Sequence, residues 1–129
     1  MATDRCICQA EDCAVATDAL RKASQVHPLV DTSHFIASIV QCPRCSQCFL
    51  KLFCERVDWA DGDDPQCRIF VPITEDEANQ LHASPITSDE NVIMSIVTGK
   101  RRILIRDMPK GAPESLEWKI SRVYIPAHD

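Results

Sequence analysis

The chain reads as an α+β protein, a small, mainly antiparallel sheet carrying one to three short helices. Three observations predict this. Runs of β-branched and apolar residues recur along the chain, as in HFIASIV, CFLKLFCERVDW, CRIFVPI, RRILIRD and LEWKISRVYIP. Helical segments are few and short, and the clearest opens on a capping box at Thr74 and Glu77. The segment QCPRCSQCFLKLFC at 41–54 carries four of the eight cysteines, with a proline after the first. A C-P-x-C turn between two strand patterns predicts a zinc-knuckle hairpin. The 129 residues suit a single domain, 1–129, and no linker divides it; the metal-binding portion is expected within about residues 1–56.

Along the chain, Val15, Leu20 and Ala23 fall on roughly one face of a helix expected over 14–25, which Pro28 then breaks. Residues 34–40 and 48–59 read as strands joined by QCPRCSQ into an antiparallel hairpin. Gly62 and Pro65 punctuate the turn DWADGDDPQ, and a third strand spans 67–73. A short helix is expected over 75–82. Residues 88–98 carry a second capping pattern, Thr87 and Glu90, with Gly99 beyond; VIMSIV is nonetheless β-like, and helix is the preferred reading. Two strands, RRILIRD and LEWKISRVYIP, close the chain around the loop MPKGAPES. Trp118 and Tyr124, six apart, should share one strand face as core.

An apolar fraction of 45% and a charged fraction of 26% are those of an ordinary soluble chain. A domain of this length buries roughly two-thirds of its unfolded surface, so the cysteines are not required as cross-links. A net charge of −5 argues against a general nucleic-acid binder, whose footprint is basic. No run approaches the roughly 20 apolar residues of a membrane span. The opening MATDRCICQAEDC has no apolar signal core, so the expected location is cytoplasmic, where disulfides are rare.

That leaves metal or free thiols for the cysteines. In Cys42-Pro43-Arg44-Cys45 a tight turn can point two thiolates at one ion, and nearby N–H groups can bond to the sulfurs and lower their pKa values. A closed zinc site needs four ligands, and Cys6-Ile7-Cys8 can supply two from an extended segment upstream. The preferred set is Cys6, Cys8, Cys42 and Cys45 around a structural zinc. Cys13 and Cys48 rival them, His27 or His34 could replace one cysteine, and Cys54 and Cys67 read as small core residues. A thiol-redox C-x-x-C would precede a helix, whereas a strand pattern follows here. A catalytic zinc would need an open position and a general base that no motif provides.

Two charged stretches remain. Glu55, Asp58, Asp61, Asp63 and Asp64 crowd around Trp59, which suits a recognition loop for an Arg/Lys-rich protein partner. The plainer alternative is a solvated turn with Trp59 packed as core. Calcium fails on spacing, since Pro65 stands at the fifth loop position and no glutamate at the twelfth. Lys100, Arg101, Arg102, Arg106 and Lys110 form the one stretch that could touch phosphate, though charge on an exposed edge strand is the plainer explanation.

The order C-x-C, helix, C-P-x-C, then ERVDWADGDDPQ and a strand ending in VPIT resembles small bacterial proteins of a zinc-ribbon-like type. Small acidic proteins of this style also resemble immunity proteins. The likeness covers roughly the first eighty residues, and the extra Cys48 departs from it. It implies a zinc-stabilised interaction module that could neutralise a basic, toxin-like partner through the acidic surface at Asp58, Trp59, Asp61, Asp63 and Asp64. The rivals are a thiol-redox or hydrolytic enzyme and a zinc-ribbon nucleic-acid binder.

Overall fold

The computed structural model describes residues 6–56, 58–62, 64–83 and 90–126. Its centre is one six-stranded antiparallel sheet in sequential order: β1 (Ser24–Asp31), β2 (Phe35–Gln41), β3 (Cys48–Glu55), β4 (Gln66–Ile73), β5 (Lys100–Met108) and β6 (Ser115–Arg122). Helix α1 (Cys13–Arg21) precedes the sheet; α2 (Glu75–Ala83) and α3 (Glu90–Ile96) lie between β4 and β5. The α+β reading holds.

Strand alternation sorts the core onto two faces. Leu50, Leu52 and Cys54 of β3 join Cys67, Ile69, Val71 and Ile73 of β4 on one face, covered by Leu81 of α2 and Ile93 of α3. Phe49, Phe70 and Leu104 point the other way, under Ala16, Ala19 and Leu20 of α1. The central strands are therefore covered on both faces. Cys54 and Cys67 are buried, as expected of small core residues, and face each other across β3 and β4.

The capping box is present: Glu77 N–H donates to Thr74 Oγ1 at 3.1 Å, and Thr74 N–H to Glu77 Oε1 at 2.9 Å. The preferred helix within 88–98 is found as α3, although Thr87 lies outside the described residues. Asp12 caps α1 by accepting from the N–H groups of Ala14 and Val15.

Four expectations are corrected. The first helix stops at Arg21, and Val15 is 43% exposed while Ala16, Ala19 and Leu20 face the sheet. The segment holding Pro28 is a strand, β1, at a sheet edge. An edge position tolerates a residue that cannot donate, and register shifts at Gln25/His27 and Pro28/Val30 absorb the misfit. The third strand element ends at Glu55 rather than at 59, so Trp59 leaves the sheet and is 89% exposed instead of packed as core. Trp118 and Tyr124 pack on opposite faces, because β6 ends at Arg122 and the alternation stops before Tyr124.

The basic strand β5 is not an edge either: it runs between β4 and β6. Its three arginines are paired, Arg101 with Glu77, Arg102 with Glu11 and Arg106 with Glu114. The charge that guards the true edge belongs to β6, where Glu117, Lys119 and Arg122 are exposed.

Candidate metal centre

The first two cysteines sit on a single 3-10 turn, Ile7–Gln9, and not on an extended segment. Cys6 stands at its N-terminal boundary and Cys8 within it, with Gln9 N–H donating to Cys6 O at 2.8 Å. The turn lets both sulfurs face the loop between β2 and β3. Two side chains from the far end of the sheet hold it there. Trp118 Nε1 donates to Ala10 O at 2.7 Å, and Arg102 Nη1 to Gln9 O at 3.2 Å. The Arg102 guanidinium stacks on the Trp118 ring, 3.8 Å from its centroid. Sequence reading missed this latch, because its parts lie 93 and 108 positions apart.

The second pair sits between β2 and β3. Cys42 N–H donates to Gln47 O at 3.0 Å, and Ser46 N–H to Cys42 O at 2.9 Å, which curls the chain into a tight loop. Closing that loop puts Ser46 at φ 66, a left-handed conformation rare for a residue with a side chain. Inside the curl, burial alone would push the Cys42 thiol up. The backbone N–H groups of Cys45 and Arg44 oppose it, with help from the Cys6 and Cys8 side chains, and the thiol falls to about 7. This is the N–H-to-sulfur arrangement that the sequence led us to expect.

Together the four cysteines form one cluster. Cys6 Sγ lies 3.6 Å from Cys42 Sγ, Cys8 Sγ lies 3.7 Å from Cys45 Sγ, and all four sulfurs fall within 4.8 Å of one another. A disulfide would need about 2.05 Å. Four sulfurs at about 2.3 Å from a tetrahedral ion would stand about 3.8 Å apart, which the observed spacings approach. Burial, then the three neighbouring sulfurs, push the Cys8 thiol up. A divalent cation among the sulfurs would reverse that and let them ionise. The site is buried at Cys8 and Cys42 and open to solvent at Cys45.

The rivals lie elsewhere. Cys13 starts α1 and its thiol donates to Glu11 O at 3.9 Å. Cys48 packs against the opposite face of the sheet, where burial and Glu75 push its thiol up. His27 stacks on His82 with ring centroids 4.1 Å apart, and His34 Nδ1 meets Glu55 Oε1 at 3.2 Å.

At the acidic turn, Asp58 Oδ1 accepts from the N–H groups of Ala60 and Asp61, and Asp64 Oδ1 accepts from Asp58 N–H at 2.7 Å. Lys110 Nζ lies 2.8 Å from a carboxylate oxygen of both Asp58 and Asp61. Asp63 lies outside the described residues. The described part of the turn is thus pinned and partly neutralised from within, with Trp59 exposed on it. Among the described residues no helix is long and apolar enough to cross a membrane. Comparison of the chain with family models, with curated proteins and with solved structures returned no match.

Proposed function

We propose that the chain is a zinc-stabilised, cytoplasmic protein-interaction module, with the ion structural and the partner engaged at the turn around Trp59. The observation that carries the reading is Trp59, 89% exposed on a turn whose backbone is pinned by Asp58 and Asp64. A rigid, exposed indole buries a large area on contact at little entropic cost, the hallmark of a binding anchor. The partner is a basic protein, toxin-like if the immunity resemblance holds. Its cations would meet Asp61 and Asp64, while Lys110 restrains the acidic field.

Zinc is the metal that a closed set of four cysteine sulfurs at near-tetrahedral spacing suits, with iron the competitor. Free thiols at all eight cysteines accord with a reducing compartment. An enzymatic alternative finds little support, since four protein ligands leave no open position and the described residues of the acidic turn include no positioned nucleophile. The test has two arms. Metal analysis of protein purified without added metal should find about one equivalent of zinc. A basic protein encoded beside this chain should bind it in a salt-sensitive manner that Trp59→Ala abolishes; binding unchanged by that substitution sinks the proposal.

A further inference from the structure

A second feature lies on the α1 face of the sheet, away from the sulfurs. Where α1 ends, the side chains of β3, β4 and β5 that point to this face are cationic: Lys51, Arg68 and Arg106. With Thr17 and Arg21 of α1 and the ring of Phe70 they line a cleft. Leu104 and Leu116 complete the lining, and no carboxylate of the described residues is part of it. Arg106 reaches out to Glu114 on the loop before β6, and the described structure shows no ion pair for Lys51, Arg68 or Arg21.

The arrangement is unfavourable as it stands. Arg68 and Arg106 are direct partners in the β4–β5 register, and like charges directly opposite each other on a sheet destabilise it. Lys51 comes from the next strand, its Nζ 5.9 Å from the centroid of Phe70, and Arg68 stacks 5.2 Å from that of Phe53. Burial first, then the charges of Arg68 and Arg21, pulls the Lys51 pKa down. Two polar atoms at the cleft, Thr17 Oγ1 and Arg68 Nε, are buried and lack any hydrogen-bond partner. Orphaned buried donors are uncommon in folded proteins, and here they coincide with a surplus of positive charge in a chain of net charge −5.

We propose that this cleft binds the phosphoryl group of a small phosphate monoester, held by Arg68, Arg106, Arg21 and Lys51 with Thr17 as a neutral donor. Guanidinium groups match the oxygens of such a dianion, and a bound phosphoryl would relieve the opposed charges and satisfy both orphaned donors. The free volume is about 20 Å³, about the room of one or two waters. That admits a single phosphoryl oxygen and leaves the rest of the group, with the rest of the molecule, at the mouth among the cationic side chains. A nucleic-acid strand fits less well, because a long polyanion would also meet the acidic remainder of the surface. The site shares no residue with the sulfur cluster, so the inference stands apart from the metal and the Trp59 turn.

The test uses the metal-loaded full chain, titrated at constant ionic strength with inorganic phosphate, glycerol phosphate and a single-stranded oligonucleotide. Inorganic phosphate and glycerol phosphate should raise Tm with the logarithm of their concentration, by about 8 °C at a hundredfold excess over Kd. Arg68→Gln should weaken both by at least tenfold. It should not lower Tm in phosphate-free buffer, since it removes one of two opposed cations. If lost packing on Phe53 does destabilise that variant, Lys51→Met should show the same loss of response, and line broadening of inorganic phosphate in phosphorus NMR should report binding directly. A Tm rise no larger than chloride gives, an undiminished response in both variants, or binding of the oligonucleotide alone would overturn the proposal.

Discussion

The Arg101 guanidinium donates to both carboxylate oxygens of Glu77, at 2.7 and 2.8 Å, while Glu77 Oε1 also accepts the Thr74 N–H. Both side chains are largely buried, and Arg101 reaches further to Pro72 O at 3.0 Å and to Thr98 O. One carboxylate therefore caps α2 and fixes it to β5. Glu77→Gln preserves the shape and the cap but leaves Arg101 without its counter-charge. The expected loss is about 2 kcal/mol in denaturant unfolding.

The same pair sets a pH dependence. Hydrogen bonding from Arg101 holds the Glu77 carboxyl below its ordinary range. A depressed folded value means that the stabilisation is complete above the unfolded pKa of about 4.3 and is lost as pH falls through the folded value. Stability measured from pH 6 downward should fall less steeply below about pH 4 in Glu77→Gln than in the parent.

Metal removal should act on one end of the molecule first. The sulfur cluster ties the 3-10 turn at Ile7–Gln9 to the loop between β2 and β3, and α1 follows that turn directly. Chelation is expected to lower Tm by roughly 10 °C or more and to open the chain to trypsin at Arg21 and Lys22 while β3 and β4 stay protected. Cys42→Ser or Cys45→Ser should reproduce this. Cys48→Ser and Cys13→Ser should retain a full equivalent of metal, and a metal content halved by either would contradict the ligand set.

How much of this was legible depends on how local each cause is. The Thr74 and Glu77 cap acts over one helical turn, and the C-x-C and C-P-x-C pairs carry their spacing with them, so both could be read from neighbouring letters. Pro28 could not. Whether proline breaks an element or sits in an edge strand depends on which strand lies beside it, and β2 supplies that context only in the folded sheet. Trp59 fails similarly: period-two alternation runs through CERVDW, but the strand stops at Glu55, before Asp58 caps its own turn. The cationic cleft gathers Lys51, Arg68 and Arg106 by register alone, and none of them is near another in sequence.

Ser46 offers a gain. Its φ of 66 closes the knuckle, and such a conformation costs an L-residue roughly 1–2 kcal/mol. Glycine adopts it freely but has more freedom to lose on folding. Ser46→Gly is expected to stabilise the protein by about 0.5–1 kcal/mol, a Tm increase of a few degrees. Its metal stoichiometry should not change. A lower Tm would mean that the side chain contributes something to the loop that its backbone angles do not show.

Lys110 decides whether the Trp59 turn works through charge or through its aromatic ring. A hydrogen bond from Lys110, outweighing some burial and reinforced by the N–H groups of Asp61 and Ala60, brings the Asp58 carboxyl down to about 2. With a depressed folded pKa, the ion pair stabilises the turn above the unfolded value of about 3.9 and releases it as pH falls toward the folded one. Lys110→Ala should raise the Asp58 pKa, read by carboxyl carbon NMR, though not to the ordinary value, because the two N–H groups remain. It also removes a counter-charge from beside Asp58 and Asp61. If electrostatics dominate recognition of a basic protein, Lys110→Ala should bind it more tightly and with a steeper salt dependence. If the indole dominates, Lys110→Ala should change affinity little, while Trp59→Ala costs at least tenfold.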